Sequence, residues 1–314
     1  MKKEKIKIAV DLGNSMLNAA AYVENELILK KLPNKLQFEK TISPKARVLE
    51  KDGKTIYMGV GDLNNNVLKH TRNNLLEQVL VMIHELFPEK DSLCVELILG
   101  LPPTQLFNKK YLELFQNIFI QAGDIEYSVN NKKKIVEIIN VDIKAEGYSG
   151  FISLVDKITT KQNILSIDIG GSTVDTCNYA YDYEDDMYYP DITDTIEKGI
   201  IDFEVAIANK FNRENGADVK ISQIDVILRN DIKTIEYEGS KYALEDYIDA
   251  MYPIIDDIIN KITNKFGQLS GYYIVGIGGG YKTFNKYASQ FISKQLEVDD
   301  DDRFYANVIG YLEQ

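Results

Sequence analysis

Two stretches decide the fold: Ile8-Ala9-Val10-Asp11-Leu12-Gly13 near the start of the chain and Leu165-Ser166-Ile167-Asp168-Ile169-Gly170 near its middle. Each is an apolar run into Asp-x-Gly, followed by small polar residues and a second apolar run, Leu17–Val23 in one case and Val174–Tyr181 in the other. Alternating apolar residues on both sides of a polar glycine turn read as a strand, a tight tip and a returning strand. The same unit written twice predicts two lobes on one plan, a duplication whose period is too long for a solenoid. Such a tip offers free backbone N–H groups with a carboxylate beside them. Backbone donors in a nest hold phosphate oxygens, and the carboxylate can hold Mg²⁺ through water. One Asp-Gly hairpin is most often only a turn; two at equivalent places carry more weight.

Working outward, Arg47–Leu49 and Thr55–Met58 flank a turn at Asp52-Gly53 and predict another hairpin. Apolar residues recur with helical spacing from Asn73 to Phe87, and Pro88 closes that segment. A buried strand is predicted over Leu93–Leu99, then a helix over Asn108–Ala122 and strands over Ile125–Val129 and Ile135–Val141, completing a first α/β lobe. After the second hairpin come helices over Ile200–Asn212, Ile221–Leu228 and Leu244–Phe266, the last broken or begun at Pro253, with a short hairpin at Ile235-Glu236-Tyr237. The strand Tyr272–Val275 runs into Gly276-Ile277-Gly278-Gly279-Gly280, where missing side chains would let a flat adenosine lie against the backbone. The acidic run Asp299–Asp302 reads as a solvated loop, and Phe304–Leu312 as a closing helix.

The chain has 314 residues, 45% of them hydrophobic, and 36 Lys+Arg against 48 Asp+Glu give a net charge of −12. At roughly 100–200 residues per domain this predicts about two domains, placed at residues 1–155 with 296–314 and at residues 156–295. The acidic balance argues against direct binding of DNA or an anionic membrane, because phosphate-backbone binding is driven by counterion release onto Lys/Arg patches. Met1–Val10 lacks the apolar core of a secretory signal, and no run approaches the ~18 apolar residues that span a bilayer, so a cytoplasmic protein is expected. Cys94 and Cys177 sit far apart in apolar runs and read as buried, reduced thiols. With only His70 and His84 available, a histidine-rich metal site is not expected.

The ordered set of two Asp-x-Gly hairpins and a late glycine run resembles the actin, sugar-kinase and heat-shock-chaperone ATPase superfamily. Within it the chain is most similar to the bacterial plasmid-segregation actins, the ParM-like proteins. Gly100-Leu101-Pro102, Val141–Tyr148 and Phe304–Tyr311 extend that similarity over nearly the whole chain. The resemblance implies a two-lobed α/β fold of the duplicated, ribonuclease-H-like kind, with a nucleotide cleft between the lobes and a small outer subdomain in the second. It implies ATP, or GTP, with Mg²⁺ as ligands. Asp11 and Asp168 would be the metal-side carboxylates; Gly13, Asn14 and Ser15 would wrap the β-phosphate, and Gly170, Gly171, Ser172 and Thr173 the γ-phosphate. Asn18, Gly199, Gly278, Gly279, Gly280 and Tyr281 would complete the nucleotide contacts. Glu146 lies where related proteins orient the attacking water, the positioning role that phosphoryl transfer asks of a protein. A solvated residue at the start of a connecting helix is the other reading of Glu146, and a capping or pairing role that of Asp175.

One departure stands out. Many members close the first hairpin with a lysine, and here that position is Asn18. An amide offers only dipoles where lysine supplies a full charge, so the expectation is that nucleotide binds more weakly, depends more on Mg²⁺, or recruits a basic residue from elsewhere. The functional expectation is an ATPase that forms head-to-tail filaments, segregating plasmid or phage DNA through a small DNA-binding adaptor. Two other readings share the superfold: a sugar- or acetate-type kinase, which would need an acceptor pocket and base, and a nucleotide-switched scaffold that does not polymerise.

Overall fold

The computed structural model describes residues 4–64, 66–120 and 123–314. The Asp11 stretch ends β1 (Glu4–Leu12), which turns back into β2 (Met16–Val23) with Asp11 opposite Asn18. β3 (Glu26–Pro33) continues this meander. The short strands β4 (Lys35–Gln37), β5 (Arg47–Lys51), β6 (Lys54–Met58) and β7 (Asp62–Leu63) follow. β8 (Ser92–Leu101) lies parallel to β1, β9 (Asp124–Val129) is antiparallel to β10 (Lys132–Ala145), and β10 is parallel to β8. Together they form a 10-stranded sheet in the order β3-β2-β1-β8-β10-β9-β5-β6-β4-β7.

Side chains alternate between the faces of a strand, and both faces of β1 are covered. Ile8, Val10 and Leu12 join one cluster with Val79, Leu80 and Ile83 of α1 (Leu75–Leu86). Each such fully buried aliphatic side chain contributes about 1.5–3 kcal/mol. Ala9 joins a second cluster with Ala20, Ile98, Tyr305, Val308 and Tyr311 of the closing helix (Asp300–Glu313). Small residues set how closely that helix docks: a Cβ on Gly310 would fall 1.8 Å from the Ser149 carbonyl oxygen, and one on Gly100 1.8 Å from the Tyr311 hydroxyl. The helices α2 (Pro103–Leu106), α3 (Lys109–Phe119) and α4 (Tyr148–Ile152) complete this unit, which comprises residues 1–158 and 301–314. The last two residues of the helix expected over Asn108–Ala122 lie outside the described residues.

The second unit, residues 159–300, repeats the plan. β11 (Ile164–Ile169) turns into β12 (Val174–Asp182) with Asp168 opposite Asp175, β13 (Met187–Ile196) pairs with β12, and β16 (Tyr273–Ile277) lies parallel to β11. The order β13-β12-β11-β16 reproduces β3-β2-β1-β8. Around it lie α5 (Ile200–Asn215), α6 (Ile221–Arg229), α7 (Tyr252–Phe266), α8 (Tyr281–Ala288) and the hairpin β14 (Thr234–Tyr237) to β15 (Ser240–Ala243). Pro253 sits in the first turn of α7, where its missing N–H is harmless; short 3-10 turns at Leu244–Asp246 and Ile248–Met251 precede it.

Two local expectations are corrected. Asp300, Asp301 and Asp302 form the first turn of the closing helix rather than a loop, where their charge complements the positive end of the helix dipole. Cys177 is buried, and burial pushes its thiol up to about 11, but Cys94 is only half-buried. Both are free thiols.

Candidate functional site

In the first unit the tip after β1 is tight: a Cβ on Gly13 would lie 2.6 Å from the Met16 carbonyl oxygen. Fully buried Asn34 braces it, its backbone N–H donating to the Ser15 carbonyl (3.0 Å) and its Nδ2 to the Gly13 carbonyl (2.6 Å). The Asn14 Oδ1 accepts from the Asn66 backbone N–H (3.1 Å), so that side chain latches the segment before α1. Arg72, in the same segment, donates through Nη1 to the Leu12 carbonyl (2.6 Å) and through Nε to the Asn66 carbonyl (2.9 Å). Asn18 is buried, its Nδ2 pointing 3.5 Å from the Phe304 carbonyl.

Beside Asp11 sits a buried charge cluster. Lys69, only 3% exposed, places Nζ 3.3 Å from Asp11 Oδ1 and 3.4 Å from the Gly100 carbonyl, and pairs tightly with Glu146 Oε1. Its backbone N–H donates to Gln105 Oε1 (3.0 Å), and Gln105 Nε2 donates to the Val67 carbonyl (2.7 Å), which fixes the segment. Glu146 is 7% exposed, so the solvated reading of it falls. Burial pushes its carboxyl above the usual range, with Lys69 pulling it back, and burial lowers Arg72 to about 10. Glu146 follows the end of β10, where Gly147 turns the chain at φ +72° and Asn307 Oδ1 accepts the N–H groups of Gly147 (3.0 Å) and Gly150 (3.1 Å).

In the second unit the tip after β11 closes by the Gly170 N–H donating to the Thr173 carbonyl (2.9 Å). The start of α5 abuts it: Ile200 and Ile201 N–H donate to the Gly170 and Gly171 carbonyls (3.0 and 2.9 Å). A Cβ on Gly199 would lie 2.5 Å from the Gly171 carbonyl oxygen, so this approach needs glycine. Asp168 is 5% exposed. Gly278, at φ +80°, crosses over it so closely that a Cβ would stand 2.3 Å from Asp168 Oδ1. The Gly280 N–H donates to the Ile169 carbonyl (3.0 Å). Asp175 accepts from Thr173 Oγ1 (3.1 Å) and Thr195 Oγ1 (2.6 Å), a pairing role inside the second unit. Tyr281 is buried beneath the glycine run, its ring where a Cβ of Gly276 would be and its hydroxyl donating to Gln295 (2.9 Å), so it supports the run from below. Beyond it, Ile227, Leu228, Lys282, Thr283, Lys286 and Tyr287 line an open pocket.

These features fit a nucleotide and a hydrated Mg²⁺. Ser172 and Gly171 remain partly exposed at their tip, as do Gly13 and Ser15 at theirs. Asp11 and Asp168 stand in equivalent registers beside the two tips. Among the described residues no three His, Cys, Asp or Glu side chains gather into a cage, and Mg²⁺ is commonly held by one or two carboxylates with water and substrate phosphates. Sequence reasoning did not find Lys69, Arg72 or Gln105, lone polar residues; the side-chain partners of Lys69 lie 31 to 77 residues away. The missing lysine at position 18 was the one signal that a cation must come from elsewhere.

The family model of archaeal MreB-like actin homologues, C-terminal part, matches residues 166–287, from β11 into α8. Comparison with curated proteins gave no match. Among solved structures, the archaeal actin homologue Ta0583 is similar over 98% of both chains at 15% identity, with a TM-score of 0.74. Its complex with ADP is similar over the same share at 14% identity and 0.72. A 15-stranded ParM filament from Clostridium botulinum is similar over 99% of this chain and 98% of that one, at 18% identity and 0.74. From end to end the chain has the actin-like fold, with archaeal MreB-like actin homologues matched in its second unit and ParM among its structural neighbours.

Proposed function

We propose that the chain is a nucleotide-driven, filament-forming ATPase, with ATP or GTP as substrate and Mg²⁺ as cofactor. One observation carries this reading: the same hairpin, with an aspartate in the same register, occurs in both units, and in the second a glycine crosses directly over that aspartate. The Gly13-Asn14-Ser15 tip supplies backbone donors to the β-phosphate, and Gly170, Gly171, Ser172 and Thr173 to the γ-phosphate. Asp11 in one unit and Asp168 in the other would be the metal-side carboxylates for a hydrated cation, which when bound would neutralise charge on the phosphates. Glu146 orients the attacking water and accepts its proton, since phosphoryl transfer depends on positioning and charge stabilisation. Gly278, Gly279 and Gly280 leave room for the nucleoside, and the pocket at Lys282 and Thr283 suits its base.

A heterologous interface whose rotation does not close builds open filaments, and the structural neighbours include a ParM filament. With a net charge of −12, DNA cargo is reached through a small basic adaptor, and segregation of plasmid or phage DNA is the role that suits such a polymer. Light scattering of the purified chain with Mg²⁺ and ATP or GTP, with phosphate release followed in parallel, tests the reading. Scattering that rises with nucleotide and decays as phosphate appears supports it; turnover without assembly would return the chain to the kinase or the non-polymerising scaffold reading.

A further inference from the structure

The tip and returning strand of the first hairpin carry no cation: from Asp11 to Val23 there is neither lysine nor arginine. Asn18, opposite Asp11, does not fill that role, because its Nδ2 is turned to the Phe304 carbonyl and its Oδ1 is buried with no hydrogen-bond partner among the described residues. Two cations instead reach the hairpin from residues 66–72, a segment tied to it at Leu12, Asn14 and Asp11. Arg72 is anchored by the Leu12 and Asn66 carbonyls, with Nη2 buried and without a hydrogen-bond partner among the described residues. Lys69 spends the three donors of its ammonium group on Asp11, Glu146 and the Gly100 carbonyl, two of them at the long distances of 3.3 and 3.4 Å.

We propose that Lys69 is the phosphate-binding cation of the first hairpin, supplied by the neighbouring segment in place of the hairpin strand, and that a polyphosphate draws it away from Glu146. The proposal rests on the nucleotide reading above and deepens it. Two carboxylates, Asp11 and Glu146, balance two cations, Lys69 and Arg72, so the cluster is neutral without ligand. A polyphosphate adds negative charge beside it and competes for a cation. Lysine can answer, since its charge sits on a flexible four-carbon stem, whereas the arginine fork is fixed by its two carbonyls. Cation transfer leaves Glu146 free to take a hydrogen bond from water, so phosphate occupancy and the readiness of that carboxylate are linked.

Calorimetric titration of the full chain with pyrophosphate and with Mg-ATP, alongside thermal melting of the unliganded protein, tests this. Lys69→Met should weaken pyrophosphate binding by about 10- to 100-fold, the loss of one charge-assisted hydrogen bond. Glu146→Gln removes the competitor and should tighten binding several-fold, but only while Lys69 is present. The double variant Lys69→Met/Glu146→Gln removes both members of the tighter ion pair and leaves only Asp11 without its lysine, so it should melt above the single lysine variant, which leaves the buried Glu146 carboxylate unpaired as well; it should bind as weakly as Lys69→Met. Asn18→Lys added to the double variant should restore affinity. Binding by the double variant as tight as wild type, or a Glu146→Gln effect of equal size in both backgrounds, overturns the proposal while the nucleotide reading stands. A cooperatively melting wild type that binds neither ligand overturns the nucleotide reading itself, and this proposal with it.

Discussion

Gly278→Ala is the sharpest perturbation of the second half-site. Gly278 sits at φ +80°, and an added Cβ would stand 2.3 Å from Asp168 Oδ1 and 2.6 Å from the Ile169 carbonyl oxygen. The backbone alone costs about 1–2 kcal/mol for an L-residue in the left-handed region. Relieving the clash adds about 1–3 kcal/mol, as overpacking in a close-packed site does, for a total of about 2–5 kcal/mol. That is a large fraction of the roughly 5–15 kcal/mol by which a domain is stable, so the variant folds but is weakened. Gly216, at φ +62° with nothing within 4 Å of an added Cβ, is the control in the same unit, because Gly216→Ala carries the backbone cost without the clash. Urea unfolding of both variants should differ by at least about 1 kcal/mol. Titration with Mg-ATP should show a further loss in Gly278→Ala alone, since relief of the clash moves the Asp168 carboxylate. Equal stability losses with unchanged nucleotide affinity would refute the idea that Gly278 is held against Asp168.

Other outcomes follow from the same geometry. Asp168→Ala should abolish Mg-nucleotide-supported assembly in a pelleting assay while the far-UV circular dichroism is unchanged, and Asp11→Ala should do the same with some loss of melting temperature, because it also removes a partner of Lys69. Glu146→Gln should slow phosphate release by roughly 10²-fold or more, the usual worth of a positioned acid or base, and lengthen polymer lifetime; unchanged turnover removes Glu146 from the water-orienting role. His84, buried in α1, is held below its usual pKa of 6.5 by burial first and by Lys134 next. The unfolded chain therefore takes up this proton near pH 6.5 before the folded chain does. Its contribution falls as pH drops below that point, and His84→Leu should flatten the stability profile from about pH 6.5 downward, read by urea unfolding at successive pH values.

The hairpins β1–β2 and β11–β12 were legible because apolar alternation on both sides of a glycine turn has few other solutions, and the helix at Leu75–Leu86 because its spacing was periodic and Pro88 stopped it. β13 was not legible. Its sequence, Met187 to Ile196, buries only Ile196 and contains Pro190, so it lacks the apolar alternation of a half-buried strand and is fixed by pairing to β12. The acidic run at Asp300 misled because like charges in sequence usually mark solvated loops, while here they sit at a helix start. The aspartates and glycines of the candidate site were visible as local motifs, whereas Lys69, Arg72 and Gln105 acquire meaning only through contacts made after folding. The resemblance makes Tyr281 a nucleotide contact; the structure buries its side chain in the core at the start of α8.

The central claim is that nucleotide occupancy of these half-sites drives polymerisation. Its most direct test is high-speed sedimentation of wild type and Asp168→Ala in Mg²⁺ with ATP, GTP or no nucleotide, the pellets imaged by electron microscopy. The account predicts filaments in the wild-type pellet only with nucleotide, and none for Asp168→Ala. Filaments without nucleotide, or equal pelleting of the two proteins, would contradict it.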